Sequence, residues 1–293
     1  MFVVTGKNGQ VGREVTKRLA SRALPFEAFS RSEFNISNVD HVERHIRPDV
    51  DAIINCAAFT AVDDAEQQTE EAWDGNSHGP ALLAQACKAE GVRLLHLSTD
   101  YVFDGKAQQP YKEDDPTGPV TVYGESKLAG EVAISAVWPD DSYILRTAWV
   151  YSSHGSNFVR TMLRLAAKSD TVSVVTDQIG QPTWAGDIAE ALITVALARS
   201  GAVAPGIYHF SGEGSCSWYE FAREIFRLGG HDPDRVLTTT SSEFSRPAQR
   251  PPYSVLSHEK WIAAGLPPIK QWREMLESSA VIQEVLSEYG QKT

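Results

Sequence analysis

Tyr123 and Lys127 stand four residues apart in the run VYGESKLAGE. Four residues is one helical turn, so in a helix the phenol and the ammonium share a face. A positive charge beside a phenol favours the phenolate, which predicts a lowered pKa for Tyr123. A phenol so tuned can protonate an alkoxide as it forms, near neutral pH. The same spacing also occurs on solvated helix faces, so its weight comes from a second group. Gly6, Gly9 and Gly12 lie in TGKNGQVG, close to the start of the chain. Glycine at such points suits a tight turn where the backbone approaches a pyrophosphate and a helix packs on a strand. The helix behind that turn, opening with Gln10 and Val11, would present amide donors and a partial positive charge.

These groups need a frame. Short apolar strands are expected at residues 2–5, 26–30, 52–55, 93–98 and 143–151. Helices are expected at 10–22, 38–47, 70–90 and 123–137. Apolar strands each followed by a helix imply a parallel sheet covered on both faces, an α/β, Rossmann-type doubly wound fold. Residues 157–168 and 171–175 would add one more helix and strand. Beyond them lie an expected helix at 184–198, a strand at 207–210, a helix at 217–228, a Pro-rich loop at 241–252 and an amphipathic helix at 270–289. The pattern suggests a dinucleotide-binding domain over 1–176 and a smaller α/β substrate-binding domain over 177–293.

The 293 residues allow a sizeable core, and a net charge of −11 argues against a nucleic-acid partner. Cys56, Cys87 and Cys216 match no zinc or disulfide spacing and read as small core residues. His41 and His45 are one turn apart but fall on a charged helix with no third ligand, so a solvated face is expected. The acidic runs 63–66 and 113–115 read as helix-start charge and exposed loop. No apolar run is long enough to span a membrane, and no signal peptide is evident, which suggests a soluble, cytoplasmic protein.

The cofactor can be read at the end of the second strand. A carboxylate there usually binds the ribose of NAD, whereas Arg accommodates the 2′-phosphate of NADP. The chain reads Phe29-Ser30-Arg31-Ser32, with no carboxylate at the strand end. Ser30 can donate to a phosphate and Arg31 can bind it bidentately. NADPH is the expected cofactor, with NADH as the alternative.

In order and spacing, GKNGQVG, NCAAFTAVDDAE, STDYVFDG, YGESKLAGE, RTAWVY, DQIGQPT and RPAQRPPYSVL resemble the dTDP-4-dehydrorhamnose reductases, of the extended short-chain dehydrogenase/reductase superfamily. The likeness runs from about residue 1 to about residue 276. It implies hydride delivery to the C4 ketone of a dTDP-4-keto-6-deoxyhexose, with Thr99, Tyr123 and Lys127 as the catalytic trio. Tyr123 would protonate the carbonyl oxygen, Thr99 would hydrogen-bond it, and Lys127 would hold the nicotinamide ribose. The resemblance sets Ala57, Ala58, Thr60 and Asn76 beside the cofactor. It sets Val62, Tyr101, Phe103 and Trp149 around the sugar, and makes Asn157, Gln181 and Arg250 candidates for sugar or nucleotide contacts.

The chain departs from this pattern in places. Asn35-Ile36 stands where an aspartate is common, and Gly75 where a valine usually precedes the asparagine. Some relatives dimerise through a carboxylate-bound magnesium. Glu14 matches one ligand, but Gly186 stands where the second would be, so no metal is expected. A homodimer is the assembly the resemblance allows. Two other functions compete. A dehydratase would carry Asp-Glu after the catalytic threonine, where this chain has Asp100-Tyr101. A non-catalytic regulatory subunit would keep the fold without turnover.

Overall fold

The computed structural model describes residues 1–244 and 246–290. Its centre is a parallel sheet of β1 (Phe2–Thr5), β2 (Phe26–Phe29), β3 (Ala52–Asn55), β4 (Arg93–Thr99), β5 (Ser142–Thr147) and the strand Gly206–His209. The spatial order is β2-β1-β3-β4-β5, then Gly206–His209. Strand order reverses between β1 and β3, and ligands of open α/β sheets bind at such a switch point, outside the carboxyl ends of the strands.

Alternation along the strands feeds two cores. Phe2, Val4 and Ile54 pack with Val15, Leu19, Ile188 and Leu192 from the helices Gln10–Ser21 and Ala185–Leu197. Val3 and Ile53 face the other way, onto Val42, Leu83 and Ala84 from Val39–His45 and Gly79–Glu90. With both faces covered, β1 and β3 are buried throughout, which is why they read as unbroken apolar runs. A third core joins the helices Phe158–Lys168, Trp218–Leu228, Trp272–Ser278 and Val281–Gly290.

The later elements differ from expectation. Val172–Val175 does not extend the central sheet but pairs in parallel with Val236–Thr239, a strand the pattern did not reveal. Its exposed Ser173 suits a strand with one wet face, not one enclosed between helical layers. The sixth strand, Gly206–His209, comes instead from beyond residue 176. The strand expected at 143–151 stops at Thr147 and resumes at Val150, because Trp149 takes a left-handed backbone with φ of 44°. Ala280, with φ of 57°, divides the last helix in the same way. The helix expected at 70–90 contains one π-helical turn, Asp74–His78.

The helix Val122–Val137 carries Tyr123 and Lys127, and four contacts seat it. Thr121 caps it by accepting from Gly124 N at 3.0 Å. The Glu66 carboxylate accepts from Val122 N at 3.0 Å, placing an anion on the helix N-terminus. Gly124 lets the helix lie directly on the loop after β4, since a Cβ there would fall 2.3 Å from Tyr101 O. Further along, Glu131 receives Arg146 from β5 at 2.7 Å, both side chains 2% exposed. Removing one charge from such a pair leaves the other buried and uncompensated. Glu131→Gln should therefore lower the unfolding free energy by about 3–5 kcal/mol in urea denaturation.

Candidate active site

A cavity of about 780 Å³ opens along the carboxyl edge of the sheet. Gly6 turns the chain out of β1 with φ of 69° and lies against Cys56 and Ala57 at the end of β3, where a Cβ would come within 2.7 Å of backbone. Gly9 is the N-cap of Gln10–Ser21, without a side-chain cap and with no acidic residue in the first turn. That helix end keeps its first amides free for an anion, as a dinucleotide pyrophosphate requires. Gly6, Gly9, Gln10 and Val11 line the cavity, whereas Gly12 packs the helix onto Gly6 O. Ala57, Ala58 and Thr60 line it from the loop after β3.

Ser30 and Arg31 line the far end. A carboxylate does reach this strand end: Glu33 Oε2 accepts from Ser30 N, Ser30 Oγ and Lys7 Nζ, each at 2.7 Å. Lys7 and Ser30 together pull the Glu33 pKa down to about 2. The chain folds back on itself at Ser30, which brings Glu33 to the strand end, but Ser30 and Arg31 line the cavity and Glu33 does not.

The reacting end holds Thr99, Tyr123 and Lys127 on one cavity wall. Thr99 closes β4 and donates to Asp100 Oδ1 at 3.0 Å while accepting from Tyr101 N at 3.2 Å. Burial pushes the Tyr123 phenol up to about 12, opposed by a hydrogen bond with Thr99. The lowered Tyr123 pKa expected from sequence is therefore not found. The cause is that Lys127 points elsewhere, donating to Leu97 O at 2.6 Å and meeting His96 Nε2 at 3.1 Å. Burial brings Lys127 itself down to about 8. Asp100 is fully enclosed, and burial raises its carboxyl to about 6 against hydrogen bonds from Ser254 and Thr99.

Val62, Tyr101 and Trp149 line the neighbouring space. Trp149 stacks on Trp218 with centroids 3.5 Å apart and planes 8° from parallel. Trp218 also lines the cavity, although nothing in its local sequence beyond the Ser217 cap set it apart. The remaining sugar and nucleotide candidates lie outside the lining. Phe103 is 1% exposed, stacked on Tyr111 at 4.2 Å beneath the Arg146 guanidinium. The turn Asp100–Val102 swings Tyr101 into the cavity and Phe103 away from it. Asn157 caps Phe158–Lys168 and donates to Gln10 Oε1 at 2.9 Å. Gln181 is buried, accepting from Leu256 N and Ser211 Oγ at 2.7 Å each. Arg250 forks onto both oxygens of Asp63, at 2.6 and 2.7 Å. Asn76, buried in the π-helical turn, braces Phe59 N and O and Ser126 Oγ.

Other expectations also change. His45 is not on a solvated face; its ring packs against both Phe29 and Phe34, and burial lowers its pKa. Glu113 is partly buried and accepts from His209 N at 3.0 Å. Glu14 is buried and ion-paired with Arg18. No cluster of metal-binding side chains is found among the described residues, and none of their helices is long and apolar enough to cross a membrane.

A glycine turn at the switch point and a threonine, tyrosine and lysine on the cavity wall define a Rossmann-type oxidoreductase. A family model described as the RmlD substrate binding domain matches residues 1–286. A dTDP-4-dehydrorhamnose reductase of Streptomyces griseus is 49% identical over 95% of this chain and 92% of its own length. A dTDP-4-keto-6-deoxy-D-glucose reductase of Streptomyces niveus is 43% identical over 94% of both chains. The crystal structure of the Bacillus anthracis dTDP-4-dehydrorhamnose reductase in complex with NADP superposes with a TM-score of 0.88 at 35% identity, covering 96% of this chain and 98% of that one. The chain belongs to the RmlD substrate binding domain family.

The buried Asp100 gives this site a pH signature. Its folded pKa of about 6 lies above the ordinary aspartate value of 3.8, so the native state holds the proton more tightly than the unfolded chain. The resulting penalty is absent at low pH and complete above pH 6, at roughly 3 kcal/mol. Asp100→Asn should be more stable than the parent at pH 8, and the difference should shrink toward zero at pH 4. Urea denaturation at the two pH values measures it.

Proposed function

We propose that this protein is an NADPH-dependent 4-ketoreductase of a dTDP-4-keto-6-deoxyhexose, converting dTDP-4-dehydro-L-rhamnose to dTDP-L-rhamnose. One observation carries the reading: the placement of Thr99, Tyr123 and Lys127 on the wall of the cavity that the glycine turn opens. The high identity to named reductases over nearly the full chain supports the substrate class. NADPH supplies the hydride when bound. The open amides behind Gly9 would hold its pyrophosphate and Arg31 its 2′-phosphate, while the Ser30 N–H and hydroxyl are already taken by Glu33. Ala57, Ala58 and Thr60 would flank the dinucleotide.

In the reduction Tyr123 gives its phenolic proton to O4 as C4 gains the hydride, leaving a hydroxyl on the sugar. A phenol held at about 12 is fully protonated at neutral pH, the state a proton donor needs. Thr99 would orient and polarise the carbonyl, and Lys127 would hold the nicotinamide ribose. Trp149 and Trp218, stacked on each other, would border the apolar side of the hexose together with Val62 and Tyr101. A cytoplasmic location and a homodimeric assembly belong to the same proposal. The Streptomyces niveus relative favours a second reading, reduction of a different dTDP-4-keto-6-deoxyhexose at the same site.

NADPH oxidation should appear with dTDP-4-keto-6-deoxyglucose plus its 3,5-epimerase. Oxidation that needs no epimerase would support the second reading. Tyr123→Phe should lower kcat by about 10²–10⁴ while leaving the Kd for NADPH within about twofold. Binding of NADPH without turnover on any such sugar would instead indicate a regulatory subunit. Arg31→Ala should weaken NADPH about tenfold relative to NADH, the loss of roughly one charge-assisted contact. An unchanged preference in binding titrations would remove Arg31 from that role.

A further inference from the structure

His96 takes part in no step above, yet it is fully buried one side chain behind the reacting groups. It lies in register with Asn55, and Asn55 with Thr5, so the three residues form a row across β4, β3 and β1. Their hydrogen bonds run in one direction. Asn55 Oδ1 accepts from Thr5 Oγ1 at 2.5 Å and from Ala57 N at 3.2 Å. A backbone N–H can only donate, which fixes the Asn55 amide with its nitrogen toward His96. Nδ2 meets His96 Nδ1 at 2.8 Å, so Nδ1 must accept. A neutral imidazole that accepts at Nδ1 carries its proton on Nε2. That proton faces Lys127 Nζ at 3.1 Å. An ammonium has three donors and no acceptor, so it cannot answer an N–H, whereas an uncharged amine has a lone pair for it. Lys127 in turn donates an N–H to Leu97 O at 2.6 Å.

We propose that His96 is a positioning residue for Lys127, whose Nε2–H binds the lone pair of the amine and favours the uncharged form of that lysine. Burial lowers the pKa of Lys127 to about 8 and pushes that of His96 well below its usual value, so desolvation draws both groups toward their uncharged forms. The other ionisable groups about Lys127 differ in sign. Glu131, one turn on, favours the ammonium, but Arg146 already engages its carboxylate. Tyr123 lies one turn back on the same helix, and Asp100 follows Thr99 at the end of β4. The link to catalysis rests on the reductase reading: if the ammonium of Lys127 assists reduction, activity falls at high pH as this lysine loses its proton, and His96 sets where.

The test begins on the wild-type protein without substrate. A long-range ¹H–¹⁵N spectrum should find His96 protonated at Nε2 alone, and ¹⁵Nζ of Lys127 should titrate near 8. A proton on Nδ1, an imidazolium, or a Lys127 midpoint at the ordinary lysine value would overturn the proposal. His96→Leu removes the donor and should raise the Lys127 midpoint by about one pH unit, carrying the alkaline limb of kcat/KM with it. His96→Gln keeps an N–H at a similar reach and should stay near the parent. A folded His96→Leu protein that titrates like the parent would reduce His96 to a packing residue. If the leucine variant does not fold, the wild-type tautomer and lysine midpoint decide. Because these spectra need no sugar, absence of turnover with every dTDP-4-keto sugar would defeat the substrate reading and leave the His96 assignment standing.

Discussion

The site depends on how the helix Val122–Val137 is pinned to the sheet. A buried lysine and a buried phenol have value only if the backbone beneath them cannot drift, since misplacing a reacting group by about 1 Å can cost 10²-fold in rate. Three separate regions hold this helix. Thr121 and Glu66 satisfy its first amides, the Tyr101 backbone touches it at Gly124, and Arg146 reaches Glu131 from β5. The Glu131–Arg146 pair is the least replaceable of these, because both charges are out of water. Its attraction matters less to net stability than the penalty for separating it. It therefore acts as a constraint on position: any shift of the helix breaks a pair that cannot be solvated.

Burial, more than neighbouring charge, sets the electrostatics here. The sequence places an ammonium one turn from a phenol and so predicts a lowered Tyr123 pKa. Desolvation works on both groups instead, raising the acid and lowering the base. Both moves favour uncharged forms, as a dry cleft should. The outcome suits a reductase, for which a phenol that retains its proton is the useful state.

What was legible in the sequence follows from how local its cause is. The glycine turn, the first five strands and the Tyr123–Lys127 helix each carry a short-range signal, in backbone freedom or in periodicity, and each is present. Partners that meet through the fold were not legible. Asp63 finds Arg250 across 187 residues, and Glu66 finds the start of a distant helix across 56, so both read only as helix-start charge of their own segment. His96 sits in an apolar strand where nothing nearby announces Asn55 or Lys127. Phe103 and Trp149 show the limit from the other side. Their motifs implied the sugar space for both, but a single turn after Thr99 sends Phe103 away, whereas Trp149 stays on the cavity lining with its indole stacked on Trp218.

That left-handed residue bears on where specificity resides. A bulky non-glycine residue at positive φ is held there only when its surroundings over-determine it. The indole of Trp149 is clamped between Trp218 on one side and the bare backbone of Gly180 on the other, where a Cβ would fall 2.4 Å from the ring. The wall beside Thr99 is thus assembled from the turn after β5, from the segment before Thr183 and from the helix Trp218–Leu228. Only the first of these adjoins the central sheet. The sheet edge and one pinned helix therefore position Thr99, Tyr123 and Lys127, while the Trp149 ring is positioned by residues of the third core. Relatives with the same reacting trio could then differ in the hexose they accept through changes at Gly180 and Trp218, without disturbing Thr99, Tyr123 or Lys127.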